Sequence, residues 1–316
     1  MKPINQYLVL RKLFWLVPAL LLAQLAQAQQ DPMYSMYMWN MMPISPGYAG
    51  SSDVLNVTAI SRIQWAAIQG APTTHSLSGH APINRQTLGA GASLTYDQIG
   101  RSTTTSFFGD VAYRMRFRNK TRLALGLSAG FNHAQIANTH VENTNPNDPT
   151  FLNDQSGKIL PNFGFGAFLW SKKGYVGLSV PKLLRNYMGK INTDGVVTQL
   201  SKEATHGFLT AGYVFPLGTV IFKPATMIRM TEGAPLSVDV SANFLFMEKM
   251  WVGAAYRNGD SVTGIFSFQI TDQFRAGYAY DFGISKLNRR ANGAHEIMLS
   301  YDPVFSRERV RSPRYF

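Results

Sequence analysis

No cysteine occurs anywhere in the 316 residues. That absence removes disulfide staples, thiol catalysis and cysteine-held zinc together. Charge is also scarce, at 15% of residues against roughly 25% in an ordinary soluble domain. Beyond residue 28 no apolar run approaches the ~18 residues of a membrane-spanning helix, and the mean hydropathy of −0.09 excludes a polytopic helical membrane protein. Catalytic signatures are missing too: there is no HExxH, no P-loop and no GxGxxG opening a helix, and the GxSxG string Gly126-Leu-Ser-Ala-Gly130 falls inside an alternating strand-like segment rather than at a strand-to-helix elbow. The six histidines, at 75, 80, 133, 140, 206 and 295, form no pair on one helix face. A wall-mounted Ser–His hydrolase would need residues that meet only in space, and no trio stands out.

What is abundant points elsewhere. Twenty Phe, 14 Tyr and 5 Trp supply more burial than a disordered chain carries. The 27 Gly and 16 Pro, spread along the whole length, argue against a helical bundle. A large, aromatic-rich, charge-poor chain of neutral average hydropathy matches a β surface that is apolar on one side only.

The first 28 residues set the compartment. Lys2, Arg11 and Lys12 precede an apolar core from Leu13 to Leu22, and Ala26-Gln-Ala28 offers a small-x-small cleavage site. This is the pattern of a secretory leader; a transmembrane anchor is the alternative, but the apolar core is about half the length of a bilayer span. A mature chain starting at Gln29 is expected. Without the three basic residues of the leader the net charge falls from +12 to +9. Export argues against nucleic acid as the partner of that charge, and the basic residues sit mostly in turns, loops and the tail.

Period-two alternation runs through most of the remainder. Leu123, Leu125, Leu127, Ala129 and Phe131 alternate with Arg122, Ala124, Gly126, Ser128 and Gly130. Val238, Val240, Ala242, Phe244 and Phe246 oppose Ser237, Asp239, Ser241 and Asn243, and Phe274, Ala276, Tyr278, Tyr280 and Phe282 oppose Gln273, Arg275, Gly277, Ala279 and Asp281. Ile297, Leu299 and Tyr301 stand against Glu296, Ser300 and Asp302. One face is apolar with aromatics near the segment ends; the other is small, polar or charged. A soluble sandwich turns the apolar face inward, a transmembrane barrel turns it to lipid. Glycine on the polar face, aromatic ends and scarce charge favour the barrel.

Fourteen strand-like segments are expected, near 53–65, 73–82, 87–97, 103–118, 121–134, 159–171, 174–182, 203–216, 219–230, 235–247, 250–257, 260–271, 273–284 and 294–305. Every second connection is tight, at 83–86, 119–120, 172–173, 216–218, 248–249 and 271–272, and the others are longer on average, above all 135–158 and 183–202. Tight turns at one rim, longer loops at the other and an even strand count are the outer-membrane pattern. Asn258-Gly259 reads as a two-residue I′ turn, at the long-loop rim. The fold class expected is therefore all-β: a transmembrane outer-membrane barrel of about 14 antiparallel strands over 53–305, after a signal peptide at 1–28 and a plug-like segment at 29–52. A basic periplasmic tail covers 306–316.

Three places suggest contacts. The segment 31–50 carries Met33, Tyr34, Met36, Tyr37, Met38, Trp39, Met41, Met42 and Tyr48. It is too apolar for water and too rich in Pro and Gly for a long helix. The expectation is a plug that tucks into the barrel from the periplasmic side, with an extra strand or an interfacial amphipathic stretch as the alternatives. Arg62, Gln64, Trp65, His75 and His80 lie on the first hairpin, read as lumen residues bonded to one another with Trp65 in the interfacial girdle, or as a docking surface. The tail ends Arg311-Ser-Pro-Arg314-Tyr315-Phe316 and suits either an acidic partner or an assembly signal.

From residue 30 the motifs also form a familiar order. Gln30-Asp-Pro-Met-Tyr-Ser-Met-Tyr-Met-Trp-Asn40 leads to Ser45-Pro-Gly-Tyr-Ala-Gly-Ser51, then Arg62-Ile-Gln-Trp65, Gly70-Ala-Pro72 and Thr74-His-Ser-Leu-Ser-Gly-His-Ala-Pro82. Gly293-Ala-His-Glu-Ile-Met-Leu-Ser-Tyr301 and Ser312-Pro-Arg-Tyr-Phe316 close the chain. This combination resembles the PorP/SprF family of Bacteroidota outer-membrane proteins, associated with type IX secretion and gliding motility. Met41 and Met42 depart from it, standing where many relatives carry less bulky or more polar residues. The resemblance implies a fourteen-stranded, non-enzymatic barrel in outer-membrane lipid, without cofactor or metal. It also implies partners: secreted cargo with a type B C-terminal domain, or peptidoglycan-binding and ring components in the periplasm. Residues expected to meet a partner are Tyr34, Tyr37, Trp39, Tyr48, Arg62, Trp65, Arg311, Arg314, Tyr315 and Phe316. A diffusion channel is the competing reading.

Overall fold

The alternation becomes a wall with two solvents. In a computed structural model that describes residues 32–52, 54–84, 87–137, 155–191, 197–284 and 292–303, large apolar side chains point out. Leu127 is 70% exposed, Phe282 58% and Leu299 54%, while Asp110, Asp239, Asp281 and Glu296 on the other face are at 4% or less. Lipid rewards the first face, and only partners inside the barrel tolerate the second.

Among the described residues seventeen strands follow in chain order. They are β1 (Asn56–Gln64), β2 (Thr73–Pro82), β3 (Leu88–Ile99), β4 (Ser102–Arg116), β5 (Arg122–Ile136), β6 (Gln155–Trp170) and β7 (Gly174–Val180). Then come β8 (Tyr187–Ile191), β9 (Val197–Lys202), β10 (His206–Tyr213), β11 (Phe215–Leu217) and β12 (Val220–Thr231). The last five are β13 (Ser237–Phe246), β14 (Met250–Arg257), β15 (Ser261–Gln269), β16 (Phe274–Gly283) and β17 (Ala294–Tyr301). Each wall strand pairs antiparallel with its neighbours, β1 pairs with β17, and β10 with β12, so the sheet has no open edge. The short β11 continues β10 past Val214 and pairs with the start of β12, whereas β8 and β9 form a separate hairpin within the 183–202 connection. The wall is thus a closed, fourteen-stranded antiparallel barrel, in the register the alternation requires. A slip of one residue would turn every lipid-facing side chain inward.

The turns divide into two rims. At the tight rim Asn84 organises the β2–β3 connection: its Oδ1 accepts the amides of Thr87 and Leu88 at 2.6 and 2.9 Å. Between β13 and β14, Met247 and Glu248 both take positive φ (50° and 57°), the I′ conformation without glycine. Stacked aromatics mark the lipid boundary here, with Phe274 and Tyr301 4.4 Å apart and Phe222 and Phe244 5.0 Å apart. At the opposite rim the expected I′ turn at Asn258-Gly259 is not formed. Arg257 pairs with Ser261, leaving three residues in the loop, and only Gly259 has positive φ (72°). The Asp260 amide bonds back to the Arg257 carbonyl at 3.1 Å, so the glycine fills the position a type II turn reserves for it.

The expected signal peptide at 1–28, residues 138–154 of the first long loop, 192–196 of the second, and the expected tail at 306–316 lie outside the described residues.

Candidate functional site in the barrel lumen

The interior is not the uniformly small or polar surface that the alternation suggests. Ile60, Phe168, Met227, Leu245, Trp251 and Met298 face inward and are buried. Their counter-surface is the chain before β1. From Tyr34 to Gly50 every residue but Pro43 is buried, and the methionines, aromatics and Ile44 among them share one apolar cluster with these side chains. Two short 3-10 turns, Tyr37–Trp39 and Pro46–Tyr48, let this N-terminal leg fold within the lumen. Its apolar residues need such a surface because neither water nor the polar strand face would accept them.

Polar anchors fix the leg. Glu296 accepts the amides of Ser35 and Met36, each at 2.8 Å, and also Nη1 of Arg62 at 3.0 Å. Arg62 donates as well to Ser35 Oγ at 3.0 Å and, through Nη2, to Asp281. Ser35 Oγ lies 2.8 Å from Asp281 Oδ1, which Thr263 also reaches at 2.6 Å. Arg62 and Glu296 sit directly opposite in the β1–β17 ladder, so this charge cluster straddles the seam where the barrel closes. All three charged side chains are nearly inaccessible, and each carboxylate has a cationic or N–H partner, as burial demands.

Further along, the Met38 carbonyl approaches Lys223 Nζ at 3.4 Å, and that ammonium lies 5.7 and 5.8 Å from the ring centroids of Trp39 and Trp251. The two indoles meet edge to face at 6.0 Å. Ser78 donates to the Asn40 side chain at 3.0 Å, and Ser179 to the Ile44 carbonyl at 2.6 Å. Tyr48 packs at 87° against Phe168, with centroids 5.3 Å apart. The Gly50 amide donates to His80 Nδ1 at 3.1 Å, while Arg114 Nη1 donates to the Gly50 carbonyl. Backbone contacts are close enough to require glycine in the wall. A Cβ at Gly126 would fall 2.3 Å from the Pro46 carbonyl carbon, and one at Gly89 2.4 Å from the Ala49 oxygen. A second charge group, Arg257 with Asp239 at 3.0 Å and Asp260 at 3.3 Å, stands at the long-loop rim.

The residues singled out in the sequence distribute unevenly. Tyr34, Tyr37, Trp39 and Tyr48 are spent on the barrel's own interior, so a partner meets them only if the leg leaves. Of the first hairpin, Arg62 and His80 point in, but toward Ser35, Asp281, Glu296 and Gly50 rather than toward each other. His75 points out, contrary to the lumen reading, because its position in β2 has the lipid-facing parity; it stacks on Tyr96 at 6.4 Å. Trp65 is half-buried just beyond β1, with φ 54° and its amide bonded to the Gly293 carbonyl at 2.7 Å. Arg311, Arg314, Tyr315 and Phe316 lie outside the described residues. Asp281, Lys223, Trp251 and Gly126 were not singled out. The available signal was a charge, a Trp and a Gly at inward parity, facing an apolar segment that needed a lining.

The arrangement holds a segment: its charged side chains bond to the leg or to one another. Among the described residues no group of three or more His, Asp or Glu is placed to share a metal ion. Comparison with known proteins now gives the family. A family model described as type IX secretion system membrane protein PorP/SprF matches residues 26–301. The chain belongs to the PorP/SprF family. No curated protein matches it significantly. Similar solved structures include the Ralstonia pickettii toluene transporter TbuX, 11% identical over 89% of this chain and 96% of that one, with a TM-score of 0.48. The Acinetobacter baumannii outer membrane protein Omp33 is 12% identical over 79% and 98%, with a TM-score of 0.45. A Pseudomonas aeruginosa FadL homologue is 12% identical over 86% and 95%, also at 0.45. This PorP/SprF chain is therefore an outer-membrane β-barrel protein of the type IX secretion system.

Proposed function

We propose that this PorP/SprF barrel is a non-enzymatic holder, which retains or connects other proteins of the type IX route instead of passing solutes. The observation that supports this most is the leg inside the lumen, anchored at Glu296, Lys223, His80 and Arg114. A barrel plugged by its own first residues offers partners its rims and loops. The loops at 135–158 and 183–202 have the length for recognition, and rigid scaffolds commonly carry function on loops. The partner class on the outer side is an exported protein with a type B C-terminal domain. On the periplasmic side it is a peptidoglycan-binding or ring component, reached through the basic tail with Arg311, Arg314, Tyr315 and Phe316. Trp65, half-buried at the long-loop rim, belongs to the outer contact surface.

The test is affinity purification of the tagged mature protein from its own outer membrane, with mass spectrometry of what accompanies it. A large secreted protein with a type B domain would identify a surface anchor, and periplasmic components would identify a machine subunit. A partnerless barrel that conducts ions would overturn the proposal in favour of a channel.

A further inference from the structure

The leg has a direction. Its later end, at Gly50, is bonded to His80 and Arg114, and each of these lies two residues before the end of its strand at the tight rim, Pro82 in β2 and Arg116 in β4. Its earlier end, at Ser35 and Met36, is bonded to Glu296, Asp281 and Arg62. All three lie two residues from the strand ends at the opposite rim, which are Ala294 in β17, Gly283 in β16 and Gln64 in β1. At about 3.3 Å per residue, each anchor set is within ~7 Å of its own mouth. Ser35 and Gly50 are fifteen residues apart in the chain. An extended chain crosses a ~25 Å apolar band in about eight residues, so the leg has length to spare for its two 3-10 turns.

We infer that the leg threads the whole barrel, entering at the tight-turn mouth and bringing Pro32 to the long-loop mouth. The expectation of a segment tucked in from the periplasmic side is thereby extended to a run of contacts from one mouth to the other. With tight turns in the periplasm, as in outer-membrane barrels generally, Pro32 and Met33 stand at the cell surface. They share that face with Trp65, Asp260 and the long loops. A partner seated on those loops meets the beginning of the leg, and the leg's other end reports to the periplasmic rim through Gly50. The inference goes beyond the holder proposal and does not depend on any partner.

The cysteine-free chain makes the test direct. Single-cysteine variants Pro32→Cys and Ser51→Cys are expressed in the native host beside two exposed references, Asn258→Cys at the long-loop rim and Lys172→Cys in the β6–β7 tight turn. Intact cells are treated with a membrane-impermeant sulfonated maleimide, then again after permeabilising the outer membrane. Threading predicts that Pro32→Cys labels on intact cells alongside Asn258→Cys. Ser51→Cys and Lys172→Cys would label only after permeabilisation. Labelling of Pro32→Cys together with Lys172→Cys would overturn the inference, as would its labelling only after denaturation. An inverted barrel would reveal itself separately, by exchange of the two reference patterns.

Discussion

Replacing Glu296 with alanine removes the acceptor of two leg amides and one of the two carboxylates facing Arg62. The Ser35 and Met36 N–H groups are then buried without an acceptor, each costing about 1–3 kcal/mol. Breaking one partner out of a buried charge group costs about 3–5 kcal/mol in total, and Asp281 remains to hold Arg62. The loss falls on the leg's attachment more than on the wall, whose β1–β17 ladder is made by backbone groups. It also falls where little margin exists. Burying a large apolar side chain of the leg contributes about 1.5–3 kcal/mol, while fixing a residue's backbone costs about 1–2. The polar anchors therefore decide whether the leg stays in. At 1.4 kcal/mol per tenfold, amides at the start of the leg should exchange with solvent about 100 to 4,000 times faster in the variant. Hydrogen exchange by mass spectrometry on the detergent-solubilised, folded barrel reads this directly. Glu296→Gln, which keeps a carbonyl acceptor and the shape, should lose less, about 1–3 kcal/mol. Unchanged protection over residues 33–42 in a folded Glu296→Ala barrel would refute the reasoning.

Gly126→Val places side-chain atoms where Pro46 and Gly47 now lie, so it should expose the leg to protease while heat-modifiable gel mobility shows the barrel intact; an unaltered digestion pattern would count against that contact. Trp39→Ala removes an indole packed on Trp251 and Lys223 and should cost about 3–5 kcal/mol of leg attachment, seen as faster exchange at Met36 to Met42. His75→Ala, at a lipid-facing position, should leave protection of the leg unchanged; a loss comparable to Glu296→Ala would contradict the assigned face. Exchanging residues 135–158 and 183–202 for those of a paralogue should abolish retention of the native partner, and unchanged retention in a cell-surface assay would remove those loops from the binding face.

The wall was readable because lipid acts on it as a uniform solvent. Leu123 to Phe131 or Phe274 to Phe282 carry their apolar side chains at strict period two, so the face, the register and the strand count follow from local sequence. Tight turns were readable for the same local reason, although the type at Asn258-Gly259 was not: only Gly259 takes positive φ there, as in a type II turn, and the dipeptide alone does not choose between the two types. The lumen was harder. Methionines and aromatics before β1 announced a segment that must be buried, yet its anchors are 260 and 261 residues away at Glu296. No spacing rule links Ser35 to Glu296, or Pro46 to Gly126. The inward glycines looked like ordinary small residues of a polar face until the leg's backbone was found against them. His75 was misassigned because residue type was weighed over parity.

The most direct test of the account is single-channel recording in planar bilayers, comparing the intact mature protein with a variant lacking residues 31–50. A lumen occupied from rim to rim predicts a silent intact barrel and discrete open-channel steps once the leg is deleted. Steady porin-like currents from the intact protein, with no increase on deletion, would contradict it.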